Sequence, residues 1–159
     1  MAKQIITVIP GDATIKVLDK AGCNFEYEYA DAGLTALENH GDLVPESTLA
    51  LIEKNKVALK GPLTTPVGDG FTSINVTLRK HFQLYANVRP VLSFKGTKAR
   101  YENIDIITIR ENTEGMYSGL GQTLSDDGNY AEARSLVTRE GAERIVTVAY
   151  ETAIKEGRK

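Results

Sequence analysis

The chain of 159 residues reads as an α/β protein with a mostly parallel sheet flanked by helices. Three observations predict this. Short β-branched runs such as QIITVI (4–9) end in Pro, Gly and Asp. Amphipathic stretches with helical spacing follow several of those runs. Strand-like and helix-like segments then alternate along the chain, the pattern of βαβ units.

Taken in order, residues 4–9 are a buried strand that meets a turn at Pro10-Gly11-Asp12. Ala13 to Lys20 reads as a short helix, with Ile15 and Leu18 on one face and Gly22 as its stop. Residues 24–30 alternate Phe25, Tyr27 and Tyr29 with Glu26 and Glu28, the pattern of a half-buried strand. Pro45-Glu46-Ser47 opens a helix that turns Leu49, Leu51 and Ile52 inward. Residues 56–60 are a short strand, and GPLTTPVGDG (61–70) is a loop. A helix follows over 74–82, with Ile74, Leu78 and Phe82 at i, i+4 and i+8. Strands are expected at 86–92, 104–110 and 133–138, a polar loop at 118–130, and a helix over 140–156. There is no internal repeat or linker, so residues 1–159 read as one domain. Within it, SDDGNY (125–130) is polar and Gly-containing, the composition of a mobile arm.

Composition narrows the function classes. A formal charge of −2 and a pI near 5.7 argue against a general nucleic-acid or membrane-surface binder. Cys23 is the single cysteine, so no internal disulfide forms, and its apolar flanks predict a buried thiol. The N-terminal residues lack a leader pattern and no stretch reaches transmembrane length, so a soluble, cytoplasmic protein is expected. His40 and His81 lack partners at metal-ligand spacing. PVGDG and PGD match neither GxGxxG nor the Walker pattern, which argues against a Rossmann or P-loop fold.

The window from Gly70 to Tyr101 carries six of the 19 basic residues and none of the 21 acids. Ser73 is placed to cap the helix that starts at Ile74, and Asn75 and Arg79, at i and i+4, share one helical face. A helix N-terminus with a hydroxyl, an amide and a guanidinium suits a carboxylate or phosphate. The same pattern also describes a capped surface helix with a solvated arginine. Arg89 (ANVRPV) and Arg110 (IITIREN) each read as ending an apolar strand, where ligands gather in open α/β sheets. With Arg79 they form a candidate clamp for a di- or tricarboxylate, since the guanidinium fork matches carboxylate geometry. The bland alternative is a structural ion pair with Glu111 or Glu114. Tyr117, in RENTEGMYSG, is a candidate proton donor or an ordinary packed tyrosine.

ITVIPGD, LKGPLTTPVG, FTSINVTLRKHFQLYANVRP and IRENTEGMYSG resemble, in order, the N-terminal half of NAD-dependent isocitrate dehydrogenases, members of the isocitrate/isopropylmalate dehydrogenase family. The resemblance implies that Arg79, Arg89 and Arg110 hold the malate-like part of the substrate. It implies that Ser73 and Asn75 contact the carboxylate peculiar to isocitrate; isopropylmalate enzymes differ there. Tyr117 would protonate the enol carbon after decarboxylation. Lys60 would lie near the substrate, and Leu63 and Thr65 near the nicotinamide. NAD is implied as the cofactor, with Mg or Mn polarising the hydroxyl and the developing enolate oxygen. The implied fold is incomplete relative to the family, which also implies a dimer.

Two departures stand out. The family's longer glycine loop, GDGIGPE, is shortened here to Gly11-Asp12 running into ATIKVLDK. The catalytic lysine, the metal-binding aspartates and most adenosine contacts are expected beyond the residues present. By this reading the chain carries a substrate-clamping half of an isocitrate dehydrogenase of the tricarboxylic acid cycle and is inactive alone. The alternative is a non-catalytic isocitrate-binding or regulatory partner of a full-length subunit. Either way a homo-oligomer or a pairing with a full-length subunit is expected, with residues 118–138 as an arm.

Overall fold

The structure is a computed structural model that describes residues 3–9, 12–63 and 73–158. The chain divides into two compact units, Met1–Thr77 and Leu78–Lys159. The loop residues 10–11 and 64–72 lie outside the described residues, so the shortened glycine loop, PVGDG and Thr65 are not placed.

In the first unit, β1 (Gln4–Ile9) lies between β2 (Phe25–Tyr29) and β3 (Ala58–Lys60), and both pairings are parallel. The parallel sheet expected from the sequence is therefore present here. A central parallel strand is covered on both faces, and Thr7, Val8 and Ile9 are each 0% exposed. Helix α1 (Asp12–Lys20) joins β1 to β2 and buries Ile15. It ends where Gly22 adopts φ +81, a left-handed conformation that lets the Cys23 N–H reach the Leu18 carbonyl at 3.1 Å. Helices α2 (Leu34–His40) and α3 (Glu46–Asn55) lead to β3, and α3 packs on β1.

One buried polar cluster pins α3 to the sheet. Asn55 Nδ2 donates to Thr7 Oγ1 at 2.9 Å and to Glu28 Oε2 at 2.8 Å, while Lys54 Nζ meets Glu28 Oε1 at 2.8 Å. This cluster sets the facing of β2. Glu28 turns inward to its two donors, whereas Tyr29 is 62% exposed. Cys23, expected to be buried, is free and only half-buried.

Helix α4 (Ile74–His81) spans the unit boundary, with Ile74 and Leu78 buried at i and i+4 as its periodicity predicts. In the second unit, β4 (Ala86–Leu92) and β5 (Asp105–Glu111) pair antiparallel, from Ala86 opposite Glu111 to Leu92 opposite Asp105. That departs from a mostly parallel arrangement. No helix intervenes between β4 and β5, and a parallel pair needs a crossover connection. Helix α5 (Arg139–Lys155) packs on β5. The strand expected at 133–138 forms earlier, as β7 (Ala131–Glu132) paired antiparallel with β6 (Thr123–Leu124). Between them, Ser125 Oγ accepts from the Tyr130 N–H at 2.9 Å, closing the tip of a hairpin.

Leu78 is the only buried apolar side chain of the second unit among the described residues. Val88, Val91, Leu92, Phe94 and Ile106 on and beside the β4–β5 sheet are exposed, as are Val146, Tyr150 and Ile154 along α5.

Candidate functional site

The site is built around the segment that follows β5. Gly115 (φ +67) and Gly119 (φ +72) bracket a 3-10 turn, Met116–Ser118, that presents Tyr117. Positive φ at both ends is what makes glycine the fitting residue there. Two guanidiniums flank the phenol ring. The Cζ of Arg79, on α4, is 5.9 Å from the ring centroid, and that of Arg110, on β5, is 5.5 Å away. Both lie within cation–π range. Arg110 Nη2 also donates to the Tyr117 hydroxyl at 2.9 Å. Lys80 Nζ donates to the Ser118 carbonyl at 3.1 Å, tying the turn to α4.

Arg89 does not touch Tyr117. It sits mid-strand in β4 rather than at the strand's end, and its Nε donates to Asn87 Oδ1 at 3.2 Å. The antiparallel register still brings it near Arg110. Asn87 is opposite Arg110 and Arg89 is opposite Thr108, so both arginines share one sheet face as diagonal neighbours. The antiparallel pairing corrects the notion that both ride on the C-terminal ends of parallel strands.

The two acids that were candidate ion-pair partners are engaged elsewhere. Glu111 accepts from Arg144 Nη2 at 3.2 Å, from the Thr113 hydroxyl and from the backbone N–H groups of Thr113 and Glu114. Burial alone would raise its pKa, yet these hydrogen bonds together hold it below the ordinary carboxylate value. Glu114 accepts from the hydroxyl of Thr138 and, at 2.9 Å, from its backbone N–H. Those bonds lower its pKa as well. Among the described residues, none of Arg79, Arg89 and Arg110 forms an ion pair.

Arg110, Glu114 and Tyr117 line a cleft of about 470 Å³ together with Gly141, Ala142 and Ile145 of α5. Of the three arginines only Arg110 lines this cleft, beside the Tyr117 phenol; a guanidinium without an ion-pair partner can bind a carboxylate there, and the phenol can offer it a proton.

Ser73 takes the N-cap position of α4, where its carbonyl accepts from the Thr77 N–H at 3.0 Å, and Asn75 lies one turn before Arg79 on the helix. Both are exposed. Lys60 ends β3, with its Nζ donating to the Gly61 carbonyl at 2.5 Å, and Leu63 is half-buried in the loop beyond. Among the described residues, no group of three His, Cys, Asp or Glu side chains could hold a metal ion. Among the described residues, no helix is long and apolar enough to cross a membrane.

Sequence reasoning missed Lys80, Thr138 and Arg144 as parts of this framework. Thr138 carried a signal: a threonine followed three residues later by Gly141, whose N–H its hydroxyl accepts at 2.9 Å. Arg144 carried none, because its partners lie more than thirty residues away.

Comparison with known proteins shows the family. The isocitrate/isopropylmalate dehydrogenase family model matches residues 6–159. The chain is 42% identical over 168 residues to an isocitrate dehydrogenase of Thermus thermophilus named for NADP, covering 99% of this chain and 34% of that protein. It is 43% identical over 143 residues to subunit 2 of the mitochondrial isocitrate dehydrogenase of Saccharomyces cerevisiae, named for NAD, covering 90% and 38%. The crystal structure of isocitrate dehydrogenase from Methylococcus capsulatus superposes with a TM-score of 0.90 at 41% identity, covering 98% of this chain and 49% of that one. The chain thus spans between a third and a half of the length of these relatives. On these matches it belongs to the isocitrate/isopropylmalate dehydrogenase family.

Proposed function

We propose that this chain carries the carboxylate-clamping part of an NAD-dependent isocitrate dehydrogenase, which converts isocitrate to 2-oxoglutarate and CO₂. The observation that carries the reading is that Arg79 and Arg110 flank Tyr117 without an ion-pair partner, while Glu111 and Glu114 are bound elsewhere. Isocitrate is a trianion. Arg79, Arg89 and Arg110 neutralise and orient it, and the resemblance adds Ser73 and Asn75 as ligands of its third carboxylate. The Tyr117 hydroxyl supplies a proton to the carbon left electron-rich when CO₂ departs. Lys60, Leu63 and Thr65 are assigned by resemblance alone, to the substrate and nicotinamide. When bound, NAD would supply the hydride acceptor and a divalent cation of the Mg or Mn type would supply polarisation of the substrate oxygen.

By this reading the chain binds isocitrate but turns it over only when the C-terminal portion of a full-length relative is supplied. The test is NADH formation from isocitrate by the mixture, with and without Tyr117→Phe. Activity that appears on mixing and drops in the variant supports the reading. A mixture that assembles and stays silent contradicts it.

A second reading, a non-catalytic partner of a full-length subunit, draws on the exposed apolar residues of the 118–138 segment. Leu124 is 69% exposed, Tyr130 60% and Val137 75%, more than a free surface hairpin usually leaves uncovered. Co-sedimentation with a full-length relative, lost on deleting residues 123–132, would favour it. A chain that sediments alone would exclude it.

A further inference from the structure

The arginines meet Tyr117 at its ring and hydroxyl, whereas the backbone of its turn is tied elsewhere. The turn's N-terminal anchor is Glu114, whose carbonyl accepts from the Tyr117 N–H at 3.3 Å and whose side chain reaches away to α5. There the carboxylate grips Thr138, the N-cap of α5, through both hydroxyl and backbone N–H. The Thr138 hydroxyl passes the connection on by accepting from the Gly141 N–H. Gly115, next in sequence, exchanges backbone hydrogen bonds with Leu136, two residues before Thr138. The carboxylate fits only because position 141 is glycine: a Cβ there would collide with Glu114. A carboxylate bonded to an N-cap also interacts favourably with the positive end of the helix.

We infer that Glu114 is a positioning residue, which, by clamping the first turn of α5, sets where Tyr117 stands between Arg79 and Arg110. This rests on the reading of Tyr117 as the proton donor, although the geometric part can be tested without it. Glu114 lines the same cleft as Arg110 and forms no ion pair with Arg79 or Arg110 among the described residues. Its influence on the phenol therefore runs through the backbone of residues 114–117. Helix α5 becomes the reference against which the site is aligned, and Gly141 is required for a reason that has nothing to do with its own flexibility.

The test uses the whole chain with tyrosine labelled at its ring carbons, and Tyr117→Phe to assign the Tyr117 signal. Glu114→Gln puts an amide N–H₂ against one of the two Thr138 donors. Gly141→Ala leaves the carboxylate intact but displaces it. Both are expected to move the Tyr117 ring resonance while those of Tyr27 and Tyr130, whose hydroxyls donate to Asp19 and Glu132 instead, keep their positions. Thr138→Ser retains the hydroxyl and is expected to leave Tyr117 in place. In the mixture that turns over isocitrate, Glu114→Gln should lower kcat by up to roughly 100-fold, the scale set by a misplacement of about 1 Å. KM should change little, and the effect should vanish in a Tyr117→Phe background. A Tyr117 signal unmoved in both folded variants overturns the inference. A signal that moves while Tyr117→Phe leaves turnover untouched upholds the positioning and removes the proton-donor reading instead. Should Glu114→Gln fail to fold, Gly141→Ala alone decides.

Discussion

Arg110 donates from Nη2 to the Tyr117 hydroxyl at 2.9 Å, and its guanidinium also faces the Tyr117 ring. The pair shares one cation between a phenol and whatever anion enters the cleft. Charge-assisted hydrogen bonds contribute about 1.5–3 kcal/mol each, so Arg110→Met should weaken isocitrate binding by roughly 10- to 100-fold. Arg110→Lys should recover part of that loss, because charge remains but the bidentate fork does not. Tyr117→Phe should leave affinity within a few-fold. Calorimetric titration of the three variants checks the ranking.

Because the clamp is cationic and largely exposed, its grip should weaken with salt. Ionic screening shortens the reach of exposed charges to about 8 Å at physiological strength and 3 Å at 1 M. Isocitrate affinity is expected to fall steadily between these limits, and to fall less in Arg89→Gln. An affinity indifferent to salt would point to a different mode of binding.

The first unit should depend on its polar cluster as much as on its apolar core. Thr7 is fully buried, and Asn55 joins it to Glu28. Asn55→Leu removes a donor from the buried Thr7 hydroxyl, which keeps its own bond to the Leu51 carbonyl at 3.2 Å, and removes one of the donors to Glu28, at a cost of about 1–3 kcal/mol. Ile9→Ala opens a cavity in the central strand and should cost about 2–5 kcal/mol. Urea denaturation of each variant gives the values.

Acid should loosen the clamp on α5. The carboxyl of Glu114 has its pKa lowered from 4.5, first by the Thr138 hydroxyl and then by the Thr138 N–H. A lowered folded-state value means that the stabilisation is fully present above about pH 4.5 and is lost as pH falls through the lowered pKa. Glu111, lowered by its own hydrogen bonds, acts in the same direction. Denaturation midpoints recorded from pH 7 to pH 3 should fall less steeply in Glu114→Gln than in the parent chain. Equal slopes would show that the carboxylate titrates without affecting α5.

Much of this architecture was legible in the chain. The β-branched run of β1, the i, i+4 spacing of Ile74 and Leu78, and the long amphipathic stretch of α5 each have one physical solution, and the structure adopts it. Helix α2 was overlooked because it has seven residues and begins after Gly33 without a side-chain cap. Its stop at Gly41, φ +75, was the available signal. The antiparallel pairing of β4 and β5 was also readable, since the connecting segment SFKGTKAR lacks helical periodicity and a crossover helix cannot form from it. What local pattern could not supply was partnership across distance. Glu28 reads as an outward acid until Asn55 and Lys54 arrive from α3, and Glu114 reads as an arginine partner until Thr138 takes it.

The most direct test of the carboxylate clamp is an amide-resolved NMR titration of the chain with isocitrate and, separately, isopropylmalate. Saturable shifts are expected at Ser73, Asn75, Arg79, Arg110 and Tyr117 with isocitrate, at an affinity well above that for isopropylmalate. Dispersed spectra that do not respond, or that respond equally to both acids, would contradict the clamp.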